Sequence, residues 1–333
     1  MTTNAPLSRS EPDSATAEEL PEKLLEKLPG KFRDAAVTAS GEPRARVGPE
    51  ALKTLWFNTG TLCNITCRNC YIDSSPSNDR LAYISEAEVR RFLDEIAAEN
   101  LPVEEIGLTG GEPFMNPEIM AILASCLEHG FRVLVLSNGM KPMMHHEAVL
   151  KELNAGYGGQ LVIRLSVDHY TPQLHMEERG PESWDPVIES MRWLSENGFI
   201  IHVAGRTYMD EPEDSLRNGY AGLFAANGVT LDANDPVSLV LFPEMDKRED
   251  VPEITAACWD MLGASPGDMM CATSRMVVKP EGAEASHVMA CTLIAHEEGF
   301  DMGPTLLGSL KEVSLNHPHC ARFCVLGGGS CRR

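Results

Sequence analysis

Residues 63–70 read Cys63-Asn64-Ile65-Thr66-Cys67-Arg68-Asn69-Cys70, so three residues separate the first two cysteines and two residues separate the last two. Thiolates are soft ligands that suit iron and zinc. A [4Fe–4S] cluster normally takes four cysteines, but the next cysteine in the chain is Cys126. Three thiolates leave one iron with an open coordination position, which is typical of a catalytic metal. The spacing therefore predicts a catalytic metal site, with a zinc knuckle or a chance grouping as the alternative.

A second motif follows about forty residues later. It reads Thr109-Gly110-Gly111-Glu112-Pro113 and comes directly after the apolar run 106–108. Together, and in this order, the two motifs resemble the signature of the radical S-adenosylmethionine (radical SAM) enzymes. The resemblance implies that Cys63, Cys67 and Cys70 hold a [4Fe–4S] cluster whose open iron binds the amino and carboxylate groups of SAM. It also implies that Gly110, Gly111 and Glu112 receive the SAM amino group.

Further SAM contacts are implied by the segment that begins at Leu165. Leu165-Ser166-Val167-Asp168-His169, continuing to Arg179, resembles the S-x-D-G…H-D…R stretch of the family's peptide- and cofactor-maturing branch. The resemblance gives Ser166 and Arg179 the role of holding SAM, and a guanidinium fork suits a carboxylate. An exposed charge beside a helix is the alternative for Arg179. The family usually has an aromatic residue before the third cysteine, where this chain has Asn69; Tyr71 is expected to replace it against adenine.

Apolar runs and helical patterns alternate between residues 55 and 242. Near-continuous apolar runs are typical of parallel strands buried on both faces, and they predict six strands: Leu55–Asn58, Val103–Leu108, Val133–Leu136, Leu161–Val167, Phe199–Ala204 and Ser238–Phe242. Ser85 and Glu88 predict a capping box, and Asn116 is expected to cap the next helix. Six βα units indicate an α/β fold with a parallel sheet, and the resemblance implies a partial (β/α)6 radical SAM barrel. Both motifs follow strands, at the sheet edge where such folds place their chemistry.

The C-terminal part of the chain carries a second group of cysteines. The stretch from Cys271 to Cys291, followed by Cys320, Cys324 and Cys331, resembles the auxiliary-cluster domains called SPASM and twitch, although the full seven-cysteine pattern is absent. The resemblance implies a shortened domain with one auxiliary [4Fe–4S] cluster held by cysteines of this set. A structural zinc site is the alternative. Cys126 and Cys258 occur at helical spacing and are interpreted as core residues.

Composition limits the classes of protein that this chain can belong to. It has 333 residues, 43% of them hydrophobic, and a formal net charge of −21. Such acidity argues against nucleic-acid substrates. The absence of a membrane-length apolar run and of a signal pattern predicts a cytoplasmic protein, in which ten cysteines indicate metal ligation. We expect a flexible extension over residues 1–50, a radical SAM core over 51–250 and an auxiliary-cluster domain over 251–333.

The resemblance implies an oxidoreductase. An electron from the reduced cluster would cleave SAM, and the resulting 5′-deoxyadenosyl radical would take hydrogen from a substrate. The short N-terminal extension favours a small molecule or cofactor precursor as substrate, with a peptide as the alternative. A flavodoxin or ferredoxin is the expected reductant. A non-catalytic Fe–S electron-transfer protein or a zinc protein is the alternative of a different class. Polar residues near strand ends are weaker candidates for substrate contact, among them Asp168, His169 and Arg206.

Overall fold

The computed structural model describes residues 30–207, 211–243 and 250–328. Its strands in chain order are β1 (Arg46–Val47), β2 (Thr54–Asn58), β3 (Glu105–Thr109), β4 (Arg132–Ser137), β5 (Leu161–Ser166), β6 (Ile200–Arg206), β7 (Leu239–Phe242), β8 (Ser274–Val278), β9 (His287–Met289) and β10 (Val313–Ser314).

The α-helices lie mainly between the strands. They are α1 (Glu86–Ala98), α2 (Ile119–Glu128), α3 (Lys141–Met144), α4 (Glu147–Tyr157), α5 (Pro172–Arg179), α6 (Trp184–Glu196), α7 (Glu213–Ala226), α8 (Cys258–Leu262) and α9 (Met270–Thr273). Short 3₁₀ turns occur at Pro113–Met115, Pro266–Asp268, Glu298–Phe300 and Leu307–Ser309, and a π-helix covers Cys320–Leu326. No helix in the described ranges has both the length and the apolar character needed to span a membrane.

One eight-stranded sheet forms the centre of the fold, in the order β7-β6-β5-β4-β3-β2-β8-β9. Strands β2 to β7 are parallel and follow one another in chain order. They correspond to the six strands predicted from the sequence, so the predicted α/β fold with a partial (β/α)6 barrel is confirmed. The strands form there because their side chains are buried on both faces, where β-branched and other apolar residues pack well.

The two faces of the sheet have different neighbours. On one face Phe57 lies 6.0 Å from Phe92 of α1, centroid to centroid, so this face packs against the surrounding helices. Successive residues of a strand point to opposite faces, and Trp56 accordingly lies on the other face, where it is 1% exposed. A Cβ atom on Gly107 would lie 2.3 Å from the Trp56 ring, so only glycine leaves room for this indole. Trp56 thereby fills the space enclosed by the curved sheet.

Side-chain caps were predicted from the sequence for the starts of α1 and α2. The Ser85–Glu88 capping box is present at the start of α1, as predicted. Asn116 does not directly precede the next helix, because a 3₁₀ turn at Pro113–Met115 comes first and α2 begins at Ile119. Its Oδ1 nevertheless accepts a hydrogen bond from Glu118 N (2.8 Å) at the start of that helix. The Asn116 side chain is buried, and its Nδ2 donates to the main-chain oxygens of Thr59 (3.0 Å) and Ile84 (2.9 Å).

The C-terminal segment extends the central sheet. Strand β8 pairs in parallel with β2, and β9 pairs antiparallel with β8. A β-hairpin formed by β8 and β9 therefore lies between Cys271 and Cys291, and its first strand lies directly beside the strand that precedes the cysteine motif.

Residues 30–50 pack against the C-terminal segment, whereas the sequence predicts a flexible extension there. Strand β1 pairs with β10, and Arg44 forms a buried ion pair with Glu253. Ala45 and Val47 are fully buried. The composition is polar, but these few apolar side chains and one buried arginine are enough to fix the segment on the fold. The remainder of the predicted extension, residues 1–29, lies outside the described residues.

Candidate active site

The three N-terminal cysteines lie in the connection between β2 and α1, beyond the carboxyl end of β2. Cys63 is 5% exposed, and Cys67 and Cys70 are half-buried. Burial, together with nearby Glu112, Cys67 and Cys70, raises the pKa of the Cys63 thiol to about 12. Burial also raises the pKa of Cys67, against the effect of Arg179. Because a metal ligand must be the thiolate, a bound cation has to offset this burial.

The glycine motif contacts the connection that carries the cysteines. The main-chain nitrogen of Gly111 donates to Gly60 O (2.8 Å), and that of Glu112 donates to Leu62 O (3.2 Å). Gly110 has φ +135°, and a Cβ on Gly111 would lie 2.1 Å from Leu62 O. Both glycines are therefore required by backbone geometry, since a side chain at either position is incompatible with this close approach. The structure thus brings the two sequence motifs together.

Glu112 is buried at the junction of the two motifs. Its carboxylate accepts hydrogen bonds from Ser137 Oγ (2.9 Å), Asn138 N (2.8 Å) and Phe114 N (3.2 Å). Burial raises the pKa of Glu112 to about 7, although these hydrogen bonds oppose the shift. Asn138 also donates through Nδ2 to Asn64 Oδ1 (2.8 Å), so the turn after β4 is tied to the cysteine connection.

Arg179 and Ser166 are the other two residues for which a SAM contact is predicted. Ser166 is the half-buried last residue of β5, and Arg179 is the last residue of α5. The Arg179 side chain is 13% exposed, and its Nε lies 2.8 Å from Asp168 Oδ2. Arg179 is therefore a buried, paired charge rather than an exposed one. The charge of Arg179 lowers the pKa of Cys67, in opposition to the effect of burial, so the guanidinium and this thiol interact electrostatically.

The Tyr71 ring lies in a small aromatic cluster. Its centroid is 6.5 Å from that of Phe242, at the end of β7, and 6.1 Å from that of Phe323, in the π-helix. Arg206 Cζ lies 5.1 Å from the Tyr71 centroid. The adenine contact of Tyr71 stays a prediction. Tyr71 directly follows Cys70 and Phe323 directly precedes Cys324, so the contact between these two rings connects the two cysteine groups.

Four of the five C-terminal cysteines line one cavity, which holds about 370 Å³ of empty space, part of it open solvent. They are Cys271, Cys291, Cys320 and Cys324. Burial raises the pKa of Cys271 to about 11 and strongly raises that of Cys320. Cys331 lies outside the described residues. Apart from His319, the remaining lining is apolar and consists of Met269, Met270, Leu293, Phe300, Val313 and Leu315.

The geometry of this second site depends on an unusual helix. Cys320 and Cys324 both belong to the π-helix, a rare conformation that is frequent at functional sites. Cys126 is fully buried in α2, and Cys258 lies on α8 away from the cavity lining, so neither takes part. Four thiols match the number that a [4Fe–4S] cluster takes. Within the described ranges, no three Cys, His, Asp or Glu side chains are grouped closely enough to hold a single metal ion.

Asn138 and Arg206 help to hold this site together through contacts that were not predicted from the sequence. Asn138 lies in a Ser-Asn-Gly turn that was visible in the sequence, but its contact with Asn64 was not predicted. Arg206, from β6, pairs with Asp168 (Nε to Oδ1, 3.2 Å). Its only signal in the sequence is that of a charged residue at the end of an apolar strand.

The core of the chain matches the model of a known protein family. The family model for the radical SAM superfamily matches residues 57–218. The chain is 29% identical over 143 residues to the antilisterial bacteriocin subtilosin biosynthesis protein AlbA of Bacillus subtilis (strain 168), which is 43% of this chain and 30% of that protein. It is 27% identical over 142 residues to an AdoMet-dependent heme synthase of Methanosarcina barkeri (strain Fusaro / DSM 804), which is 42% of this chain and 38% of that protein.

A solved structure extends the similarity beyond the matched sequence segment. Streptococcus suis SuiB bound to precursor peptide SuiA superposes with a TM-score of 0.55 at 13% identity, over 90% of this chain and 70% of that one. At this identity the likeness concerns the fold. The chain spans about a third of the length of the two curated relatives. Because the family model matches the segment that contains both motifs, and the same segment forms most of the parallel barrel core, residues 57–218 form a radical SAM domain.

Proposed function

We propose that this chain reductively cleaves S-adenosylmethionine at a [4Fe–4S] cluster held by Cys63, Cys67 and Cys70, and that it oxidises or rearranges a substrate. The observation that carries the proposal is the direct contact between the two motifs. The main-chain nitrogens of Gly111 and Glu112 donate hydrogen bonds to the β2–α1 connection, which contains the cysteines. The thiol of Cys63, the buried carboxylate of Glu112 and the guanidinium of Arg179 interact electrostatically, as their pKa shifts indicate.

The residues present fit a cluster and SAM chemically. Three thiols, one buried and two half-buried, are a soft donor set for iron and leave one coordination position for another ligand. Arg179 offers a charged fork to the SAM carboxylate, and the carbonyls and carboxylate of Gly110–Glu112 suit the SAM ammonium. When bound, the reduced cluster supplies the electron that splits a sulfonium C–S bond of SAM, which gives methionine and the 5′-deoxyadenosyl radical.

The chain's own residues would bind and orient SAM, and they would exclude water from the site. Glu112 is fixed by three hydrogen bonds and Arg179 by Asp168, so neither side chain needs to reorganise when SAM binds. Ser166 is proposed as a further SAM contact from the neighbouring strand end, and Tyr71 as the adenine contact. The surrounding aromatic cluster would keep water away from a reactive intermediate.

We further propose that Cys271, Cys291, Cys320 and Cys324 hold one auxiliary [4Fe–4S] cluster, with Cys331 as an additional candidate ligand. Their convergence on one cavity supports this proposal. A shortened SPASM- or twitch-like domain over residues 251–333 would then face the barrel through the Tyr71–Phe323 contact. Such a cluster could accept an electron from a substrate radical or bind the substrate.

The proposed substrate is a small molecule or a cofactor precursor, and the relative named as a heme synthase supports this class. A peptide is the second candidate, favoured by the relative named for bacteriocin biosynthesis. The two classes can be separated because a true substrate should accelerate SAM cleavage: a porphyrin precursor and a bacteriocin precursor peptide are compared at equal concentration. We propose a cytoplasmic flavodoxin or ferredoxin as the electron donor.

The function is tested by anaerobic reconstitution of the protein with iron and sulfide, followed by addition of SAM and dithionite. We expect 5′-deoxyadenosine and methionine to accumulate, and neither to form when dithionite is omitted. If the cluster is intact and reduced but no 5′-deoxyadenosine appears, the enzyme reading is wrong. A non-catalytic Fe–S protein or a zinc protein would then be the better account.

A further inference from the structure

A dense set of contacts joins the cluster loop, defined here as residues 63–71, to the carboxyl end of α5. The Asn69 side chain donates through Nδ2 to both carboxylate oxygens of Glu178, at 3.2 Å to Oε1 and 3.1 Å to Oε2. The main-chain nitrogen of Arg68 donates to Glu178 O at 2.8 Å. Glu178 is 5% exposed, so these contacts are shielded from water. Hydrogen bonds to a charged group in such surroundings are stronger than neutral ones.

The end of strand β6 also contacts Asn69 of the cluster loop. Arg206, at the end of β6, donates through Nη2 to the main-chain oxygen of Asn69 at 3.0 Å. The same guanidinium places its Nε 3.2 Å from Oδ1 of Asp168, which in turn pairs with Arg179. Arg206 is 6% exposed. Asn69 is therefore linked to Arg179 by two routes, one through the adjacent Glu178 and one through Arg206 and Asp168.

The amide of Asn69 is what makes the first route possible. An aromatic side chain, which is usual at this position in the family that the motif resembles, has no amide group to donate to both oxygens of a carboxylate. The contact with Glu178 thus follows from the residue that departs from the family pattern. Asn69 is spatially close to the cysteines but is not itself a thiolate or a carboxylate ligand.

We infer that Asn69 is a positioning residue, which acts through Glu178 to fix Arg179 relative to the three cysteines. The cluster loop and the guanidinium proposed to bind the SAM carboxylate then form one unit. Binding of the cluster to the loop would stabilise the position of Arg179, and binding of SAM to Arg179 would stabilise the loop, because the loop and the guanidinium share the same contacts. The inference rests on the proposed function, since it assigns a consequence for SAM binding.

The test exchanges the two hydrogen-bonding groups. Asn69→Asp alone sets two carboxylates against each other, and we expect SAM to bind the fully loaded protein about tenfold more weakly. Asn69→Asp combined with Glu178→Gln keeps the net charge of the native protein and restores an amide–carboxylate pair with the roles reversed. We expect this double variant to bind SAM within about threefold of the native protein. The dissociation constant is measured by equilibrium dialysis, at equal iron content in every sample.

A matched control and a cluster-free readout complete the design. Asn78 lies in the same β2–α1 connection but donates through Nδ2 to Asp73 O (2.8 Å), away from α5, so Asn78→Ala should leave SAM binding unchanged. In cluster-free protein, hydrogen exchange at the Arg68 amide should accelerate in Asn69→Asp and return to the native rate in the double variant. If Asn69→Asp does not load its cluster, Glu178→Gln alone provides the binding comparison, with weaker binding expected.

The possible failures are distinguishable. If native protein with a full cluster does not bind SAM, the proposed function fails and the inference fails with it. If the native protein binds SAM and Asn69→Asp binds it equally well, only the inference is wrong. It is also wrong if the double variant binds as weakly as Asn69→Asp, or if Arg68 exchange changes while SAM affinity does not.

Discussion

Replacing Cys67 with alanine is expected to abolish the formation of 5′-deoxyadenosine and to remove the iron bound at the N-terminal site. Two remaining thiolates cannot hold a cluster that three hold with one position open. Cys67 also interacts electrostatically with Arg179, so its loss changes the charge environment of the group proposed to bind the SAM carboxylate. Product is measured by chromatography after anaerobic incubation with SAM and dithionite, and iron is counted in the same samples.

Cys126→Ala is the matched control for this variant. Cys126 is fully buried in α2 and belongs to neither cysteine group. Its replacement should cost about 1 kcal/mol of the free energy of unfolding, through the small cavity left in the core, and should leave iron content and product formation unchanged. Product formation at the native rate by Cys67→Ala would contradict the assignment of the N-terminal site.

Replacing Cys320 with alanine is expected to reduce the iron content from about eight to about four atoms per chain. Cys320 is buried in the π-helix and lines the cavity with the other three thiols, so its removal leaves an incomplete ligand set there. Cleavage of SAM without substrate should continue, because the residues around Cys63, Cys67 and Cys70 are unchanged. Conversion of a substrate that depends on the auxiliary cluster should be lost.

The control for the second site is Cys258→Ala, which changes a half-buried cysteine in the same part of the chain but outside the cavity lining. It should retain about eight irons. Native protein that binds only about four irons after full reconstitution would contradict the proposal of an auxiliary cluster. A Cys320→Ala variant that keeps the full iron content would contradict the ligand assignment.

The order of the core strands was predictable because each strand is a continuous apolar run that ends in a turn. The neighbours of buried parallel strands can be predicted from their order in the sequence, since the βα connections place successive strands side by side. The insertion of β8 beside β2 was not predictable in the same way. It depends on a pairing between residues more than two hundred positions apart, for which the apolar run 276–278 carries no specific signal.

The candidate site, like the fold, was predictable from the sequence only in part. The cysteine and glycine motifs are recognisable because their residue types and spacing are constrained by metal ligation and by a close backbone approach at Gly111. Asn69, Asp168 and Arg206 are single polar residues whose partners come from distant segments. Their roles follow from three-dimensional proximity alone. The packing of residues 30–50 was missed because their polar composition hides the few buried side chains that fix them.

Electron paramagnetic resonance of the reduced cluster tests the central claim most directly. The claim is that Cys63, Cys67 and Cys70 hold a [4Fe–4S] cluster whose open iron binds the amino and carboxylate groups of SAM. The Cys320→Ala variant is used so that the signal of an auxiliary cluster does not overlap. We predict that SAM changes the spectrum and that SAM labelled with ¹⁵N at the amino group adds a nitrogen hyperfine coupling. A reduced [4Fe–4S] spectrum that is unchanged by saturating SAM and shows no such coupling would contradict the claim.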